Sequence, residues 1–114
     1  KLVDHVGYNP ADMAETFAVM IDGGHPLFIG DTGAIGATST PHPFNRAHIM
    51  GQEVFWWSEG REGLGLFRAL DAWCEANCHS LRMITLHAVE PERTGRLYER
   101  LGFAPLEHSY VKVY

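Results

Sequence analysis

The sequence predicts an α/β protein, with an α+β mixed sheet, and three observations carry that prediction. Val54-Phe55-Trp56-Trp57 is a run of four apolar residues, three of them aromatic, which favours a strand. Leu66, Phe67, Leu70, Trp73, Cys74 and Cys78 fall on one face of a helix. Between the two runs lie Gly60, Gly63 and Gly65, three glycines in six residues, so a strand feeds a helix through a glycine loop.

The chain has 114 residues, enough for one domain with a real core and too few for two. Its 46% hydrophobic and 20% charged content is that of an ordinary globular protein. No apolar run approaches the ~20 residues that cross a bilayer, so no membrane partner is expected. No secretory signal opens the chain, which begins Lys1-Leu2-Val3-Asp4, and the lack of an initiating Met points to a trimmed or processed N-terminus. Formal net charge is −5 with nine scattered basic residues, which argues against a nucleic-acid partner. Cys74 and Cys78 lie one helical turn apart, ~6 Å between Cα atoms, with Cβ vectors side by side, a poor disulfide geometry. They read as small buried hydrophobes in a reducing cytoplasm.

In chain order, Asn9-Pro10 is a turn, and a short helix opens at Ala11-Asp12 with Met13, Phe17, Met20 and Ile21 on its apolar face. Asp22-Gly23-Gly24 ends it. His25 to Ile29 is a short strand, Gly30-Asp31-Thr32-Gly33 a hairpin turn, and Ala34 to Thr40 the returning strand, thin in side chains. Pro41 to Asn45, with two prolines in three residues, reads as a loop without regular pairing. His48 to Trp57 is a long strand, and the helix over 64–78 follows. Leu81 to Val89 reads as a strand covered on both faces. Glu90-Pro91-Glu92 starts a last helix, with Leu97, Tyr98 and Leu101 on its apolar side and Gly102 as its stop. Phe103 to Tyr114 alternates like a hairpin or paired strand; Tyr110 and Tyr114 on one face would give an edge on which a homodimer could form. The sheet is therefore antiparallel early and parallel where helix 64–78 joins two strands.

The glycine loop has a chemical reading beside its structural one. Glycine lets backbone N–H groups approach a ligand closely, and a helix beginning there adds a positive dipole end and unpaired donors. Strand, glycine loop and helix N-terminus make a site for a phosphate or pyrophosphate. A tight strand-to-helix turn accounts for the same glycines, and the local pattern does not separate the two.

The glycine loop, followed one strand later by Arg96-Leu97-Tyr98-Glu99-Arg100-Leu101-Gly102-Phe103, resembles the GNAT N-acetyltransferase superfamily over roughly residues 25–114. The late motif Leu-Tyr-Glu-x-Leu-Gly-Phe is matched in full, and the acetyl-CoA loop Gln/Arg-x-x-Gly-x-Gly/Ala is matched at Gly63 and Gly65. Gly60 stands at the Gln/Arg position with Arg61 one place late, and Pro91-Glu92 replaces the Asn that often begins the late helix. The family's first strand and much of its first helical region have no counterpart, as a trimmed N-terminus would leave it.

The resemblance implies a GNAT-like acyl-CoA N-acyltransferase fold and acetyl-CoA as cosubstrate. Gly60, Arg61, Glu62, Gly63, Leu64 and Gly65 would hold the pyrophosphate, with Arg61 supplying charge. The preceding strand is expected to bulge and splay from its neighbour, so that pantetheine pairs with backbone at Phe55, Trp56 and Trp57 and an N–H there polarises the thioester carbonyl. For at least one of the two tryptophans plain core packing is also expected. Tyr98 matches the family's general acid for the CoA sulfur; a packed tyrosine between Leu97 and Leu101 is its structural alternative. Glu53, on the strand flanking the cleft, is first choice as general base, and His87 and His48 compete because histidine titrates near neutral pH. The seven histidines form no i, i+4 pair on a helix and no HExxH, so no metal is expected.

The implied activity is acetyl transfer from acetyl-CoA to a primary amine of a small molecule or peptide, by direct attack in a ternary complex. A non-catalytic acyl-CoA-binding module is the alternative. A dinucleotide fold is disfavoured, because Gly63-x-Gly65 comes after several strands and Phe67-Arg68 stands where the last glycine of GxGxxG is needed.

Overall fold

In the computed structural model, residues 6–84 and 91–114 are described. The chain forms two compact units: Pro10–Met83, and Lys1–Asn9 together with Ile84–Tyr114. The first holds helix α1 (Pro10–Asp22), strands β1 (Leu27–Ile29), β2 (Gly33–His42) and β3 (Asn45–Ser58), helix α2 (Gly63–Asn77) and strand β4 (Ser80–Arg82). The second holds helix α3 (Pro91–Arg100).

The four strands lie in sequence order, β1-β2-β3-β4. β1–β2 and β2–β3 are antiparallel hairpins, whereas β3–β4 is parallel, because α2 carries the chain back alongside the first half of β3. Register sorts side chains to opposite faces. Ile35 pairs with Trp56 and Gly36 with Phe55, so these pairs face opposite ways. On one face Trp56 stacks at 5.7 Å on Phe67 of α2, whose Leu66, Phe67, Leu70 and Cys74 are buried. Phe67 and Leu70 are the centre of this core, and burial of each contributes roughly 1.5–3 kcal/mol. On the other face Phe17 of α1 stacks at 4.9 Å on Phe55. Gly36 is required there: a Cβ on it would fall 2.6 Å from the Phe55 ring.

Several expectations from the sequence need correction. The apolar face of α1 is narrower than its spacing suggests: Met20 is buried and Phe17 half-buried, but Met13 and Ile21 are exposed. One short hairpin offers the helix too little surface for a full stripe. The two prolines do not break the hairpin after β2: Pro41 pairs with Ile49, and the ladder shifts register between Pro41 and His42. A proline is accommodated at such an irregularity because no ladder donor is needed there. A turn at Pro43-Phe44 closes the hairpin, with the Phe44 N–H donating to His42 Nδ1 at 3.1 Å. α2 ends at Asn77, one residue early, and Cys78 caps it with extended backbone. Both cysteines are free thiols. Burial pushes the Cys74 thiol up to about 12, helped by the charge and hydrogen bond of Cys78 and then by Asp71.

Of the strand expected over 81–89, β4 covers Ser80–Arg82, and residues 85–90 lie outside the described residues. In the second unit α3 runs as expected, with Tyr98 buried, and Gly102 at φ 94 ends it. The alternation over 103–114 forms no strand, and Tyr110 and Tyr114 are exposed. Alternation makes a strand only where a neighbouring edge supplies ladder bonds. The homodimer edge expected of Tyr110 and Tyr114 thus lacks its strand. Among the described residues no helix is long and apolar enough to cross a membrane.

Candidate active site

β3 is irregular where the resemblance expects it. Gly36 pairs with Phe55 but Ala37 pairs with Glu53, so Val54 is an extra residue, a β-bulge. Pairing with β4 runs only from Met50 to Gln52. Beyond Gln52, β3 keeps β2 on one side and has no strand on the other among the described residues. An extended ligand can add to a sheet where a strand's pairing on one side stops in this way.

Glu53 lies immediately before the bulge and is buried, 9% exposed, opposite the fully buried Ala37. Phe55 and Trp56 are fixed by packing, Trp56 also donating from Nε1 to the Gly63 carbonyl at 3.2 Å. That bond ties the strand to the first turn of α2. Trp57 is 51% exposed.

The glycine loop then turns into the helix. Leu66 N–H makes the first intrahelical bond, to the Glu62 carbonyl at 2.9 Å, so the N–H groups of Gly63, Leu64 and Gly65 precede it. A Cβ on Gly65 would meet nothing within 4 Å, whereas one on Gly63 would come 3.3 Å from Ser58 Cβ and one on Gly60 2.6 Å from Thr32 Oγ1. Gly60 and Gly63 are thus closely packed in the turn, and Gly65 is not. Arg61 is exposed. Three amides at a helix N-terminus and open space over Gly65 fit a pyrophosphate, and Arg61 is a cation two residues before the first of them.

Glu62 behaves differently from the rest of the loop. At the N-cap of α2 its side chain makes no capping bond. Its carboxylate instead accepts hydrogen bonds from Thr32 N–H, Thr32 Oγ1 (3.0 Å) and Asp31 N–H (3.1 Å). The Thr32 amide first, with the Thr32 hydroxyl and the Asp31 and Gly33 amides, holds the carboxyl below the ordinary glutamate value, against an opposing effect of desolvation. Sequence reading found the turn 30–33 but had no signal joining it to a loop 30 residues away.

The histidine candidates separate from this region. His48 Nε2 is 2.8 Å from Ser80 Oγ and its ring lies 5.3 Å from that of His79, which itself accepts the Ile49 N–H. It sits five residues before Glu53 on β3, roughly 16 Å away at strand rise, as a bonded structural histidine. His87 lies outside the described residues. Among the described residues no group of three or more His, Cys, Asp or Glu is placed to hold a metal ion. In the second unit, Tyr98 is 7% exposed, its hydroxyl donates to the Ile84 carbonyl at 2.9 Å, and its ring lies 5.6 Å from Phe103.

Sequence comparison finds no matching family model and no matching curated protein. Solved structures do match. An acetyltransferase from Trypanosoma brucei aligns at TM-score 0.68 and 14% identity, over 94% of this chain and 81% of its own. A transcriptional regulator from Bacillus halodurans C-125 aligns at TM-score 0.64 and 20% identity, over 92% and 76%. A ribosomal-protein-alanine N-acetyltransferase from Brucella melitensis biovar Abortus 2308 aligns at TM-score 0.62 and 19% identity, over 99% and 88%. The likeness read from two short motifs is matched by the architecture that carries them: the chain has the acyl-CoA N-acyltransferase fold of the GNAT superfamily.

Proposed function

We propose that the chain is an acetyl-CoA-dependent N-acetyltransferase that moves the acetyl group to a primary amine by direct attack in a ternary complex. The observation that carries this reading is the junction itself: a bulged strand whose pairing with β4 stops at Gln52 runs straight into a helix whose first amides precede its first internal hydrogen bond.

Acetyl-CoA, when bound, supplies the activated acetyl group; the chain supplies binding, polarisation and proton handling. The amides of Gly63, Leu64 and Gly65 hold the pyrophosphate, with Arg61 adding charge. The β3 backbone beyond Gln52 pairs with pantetheine, and an N–H between Phe55 and Trp57 polarises the thioester carbonyl. Glu53 takes the proton from the attacking amine, directly or through water. By the motif resemblance Tyr98 is the acid that returns a proton to the CoA sulfur. Two of the similar structures are acetyltransferases, one named for a ribosomal-protein alanine, an amine acceptor.

The second reading, an acyl-CoA-binding module without transfer, is favoured by one feature: the Tyr98 hydroxyl already donates to a backbone carbonyl. Release of free CoA thiol from acetyl-CoA, measured against small amines, lysine peptides and N-terminal alanine peptides, separates the two. The enzyme reading expects thiol release with at least one amine, and a kcat about 100-fold lower in Glu53→Gln with acetyl-CoA affinity unchanged. Acetyl-CoA binding without thiol release from any amine would leave the module.

A further inference from the structure

We propose that Glu62 is a positioning residue, latching the anion-binding loop to the β1–β2 turn and keeping its own carboxylate away from the donors that an incoming phosphate needs. The inference rests on the acetyl-CoA reading above for its ligand, and on the geometry alone for the latch.

A side-chain oxygen at a helix N-cap, as of Asp, Asn, Ser or Thr, ordinarily turns back to accept from the first amides. Glu62 does not, although it stands at that position. It reaches across to Asp31 and Thr32, taking three donors there. The approach depends on Gly30, where a Cβ would fall 2.5 Å from the Glu62 carboxylate carbon. Thr32 is engaged from the same loop twice more: Glu59 N–H donates to its carbonyl at 2.8 Å, and Gly60 lies close against its hydroxyl. Three residues of the loop therefore converge on one residue of the turn. The loop is anchored from behind, and the amides of Gly63, Leu64 and Gly65 are left for an external anion. Freed from the turn, the same carboxylate is an internal anion at the N-cap, placed to take those amides itself.

The latch is charged and intact at neutral pH. Because the native carboxyl sits below its ordinary value of 4.5, the hold is fully present above that pH and is lost as pH falls through the lower native value. Asp31, Glu59 and Arg61 are the other ionisable groups on the two segments that Glu62 joins, and a Glu62→Gln variant keeps all of them.

The test is CoA titration between pH 4 and 7 of the wild type, Glu62→Gln, Gly30→Ala and the double variant, with amide hydrogen exchange at Asp31 and Thr32. Gly30→Ala, which displaces a carboxylate that keeps its charge, is expected to weaken CoA about tenfold. Glu62→Gln is expected to weaken it less and to flatten the acid end of the profile. The double variant should bind better than Gly30→Ala alone, since the displaced anion is gone. Exchange at Asp31 and Thr32 should quicken in both single variants. Wild-type affinity and pH profile in both single variants, or unchanged exchange, would overturn the latch. A wild type that binds no CoA would overturn the acetyl-CoA reading instead, and the exchange rates then decide the latch on their own.

Discussion

Replacing Gly65 with alanine is expected to weaken acetyl-CoA binding by about tenfold or more while leaving the protein as stable as before or slightly more so. The two effects have different origins. Gly65 lies in the first turn of α2, and an added Cβ meets nothing within 4 Å. Alanine there fits the fold and reduces the entropy that glycine loses on folding, a gain of up to about 1 kcal/mol. The same methyl stands over the donors that precede the first intrahelical bond, where a pyrophosphate must come close. Aspartate at 65 sharpens the contrast. A carboxylate in the first turn suits the helix dipole, yet it sets an anion against an anion, with an expected loss of about 100-fold. Gly63 and Gly60 are poorer test positions, since side chains there press on Ser58 or Thr32 and would disturb the turn itself. Titration calorimetry and thermal melting of Gly65→Ala and Gly65→Asp make the check: affinity falls while Tm holds.

Tyr98→Phe is expected to lower kcat by about 100-fold or more, the usual contribution of a positioned acid, with acetyl-CoA affinity little changed. The buried hydroxyl donates to the Ile84 carbonyl, so the variant also leaves that acceptor short of a partner, at about 1–3 kcal/mol of stability. A purely structural tyrosine predicts the stability loss with kcat near wild type at temperatures well below Tm. An acid predicts both the stability loss and the fall in kcat. Turnover and melting curves on one preparation therefore assign the residue.

Much of this architecture was legible because it is local. The apolar face of α2 from Leu66 to Cys74 and the aromatic run ending β3 each announce their element within a few residues, and the three glycines mark the joint between them. The two motifs led to the fold that the solved structures share. What the sequence hid is non-local. The bulge at Val54 exists only relative to Gly36 and Ala37 on another strand, and the Glu62–Thr32 latch spans 30 residues. Pro41 reads as a barrier in the sequence because its missing donor is local, while the register shift that accommodates it is not. The tail after Phe103 differs the other way: its alternation is clear, but among the described residues no partner strand receives it. The resemblance alone points to Glu53, and its burial beside the bulge is a property no run of residues discloses.

The central claim is that this junction binds the pyrophosphate of a CoA thioester. Isothermal titration of the chain with acetyl-CoA, CoA and NAD tests it most directly. Micromolar binding of acetyl-CoA and CoA, none of NAD, and loss of both in Gly65→Asp is the predicted result. A folded protein that binds neither CoA species, or binds NAD equally well, would contradict it.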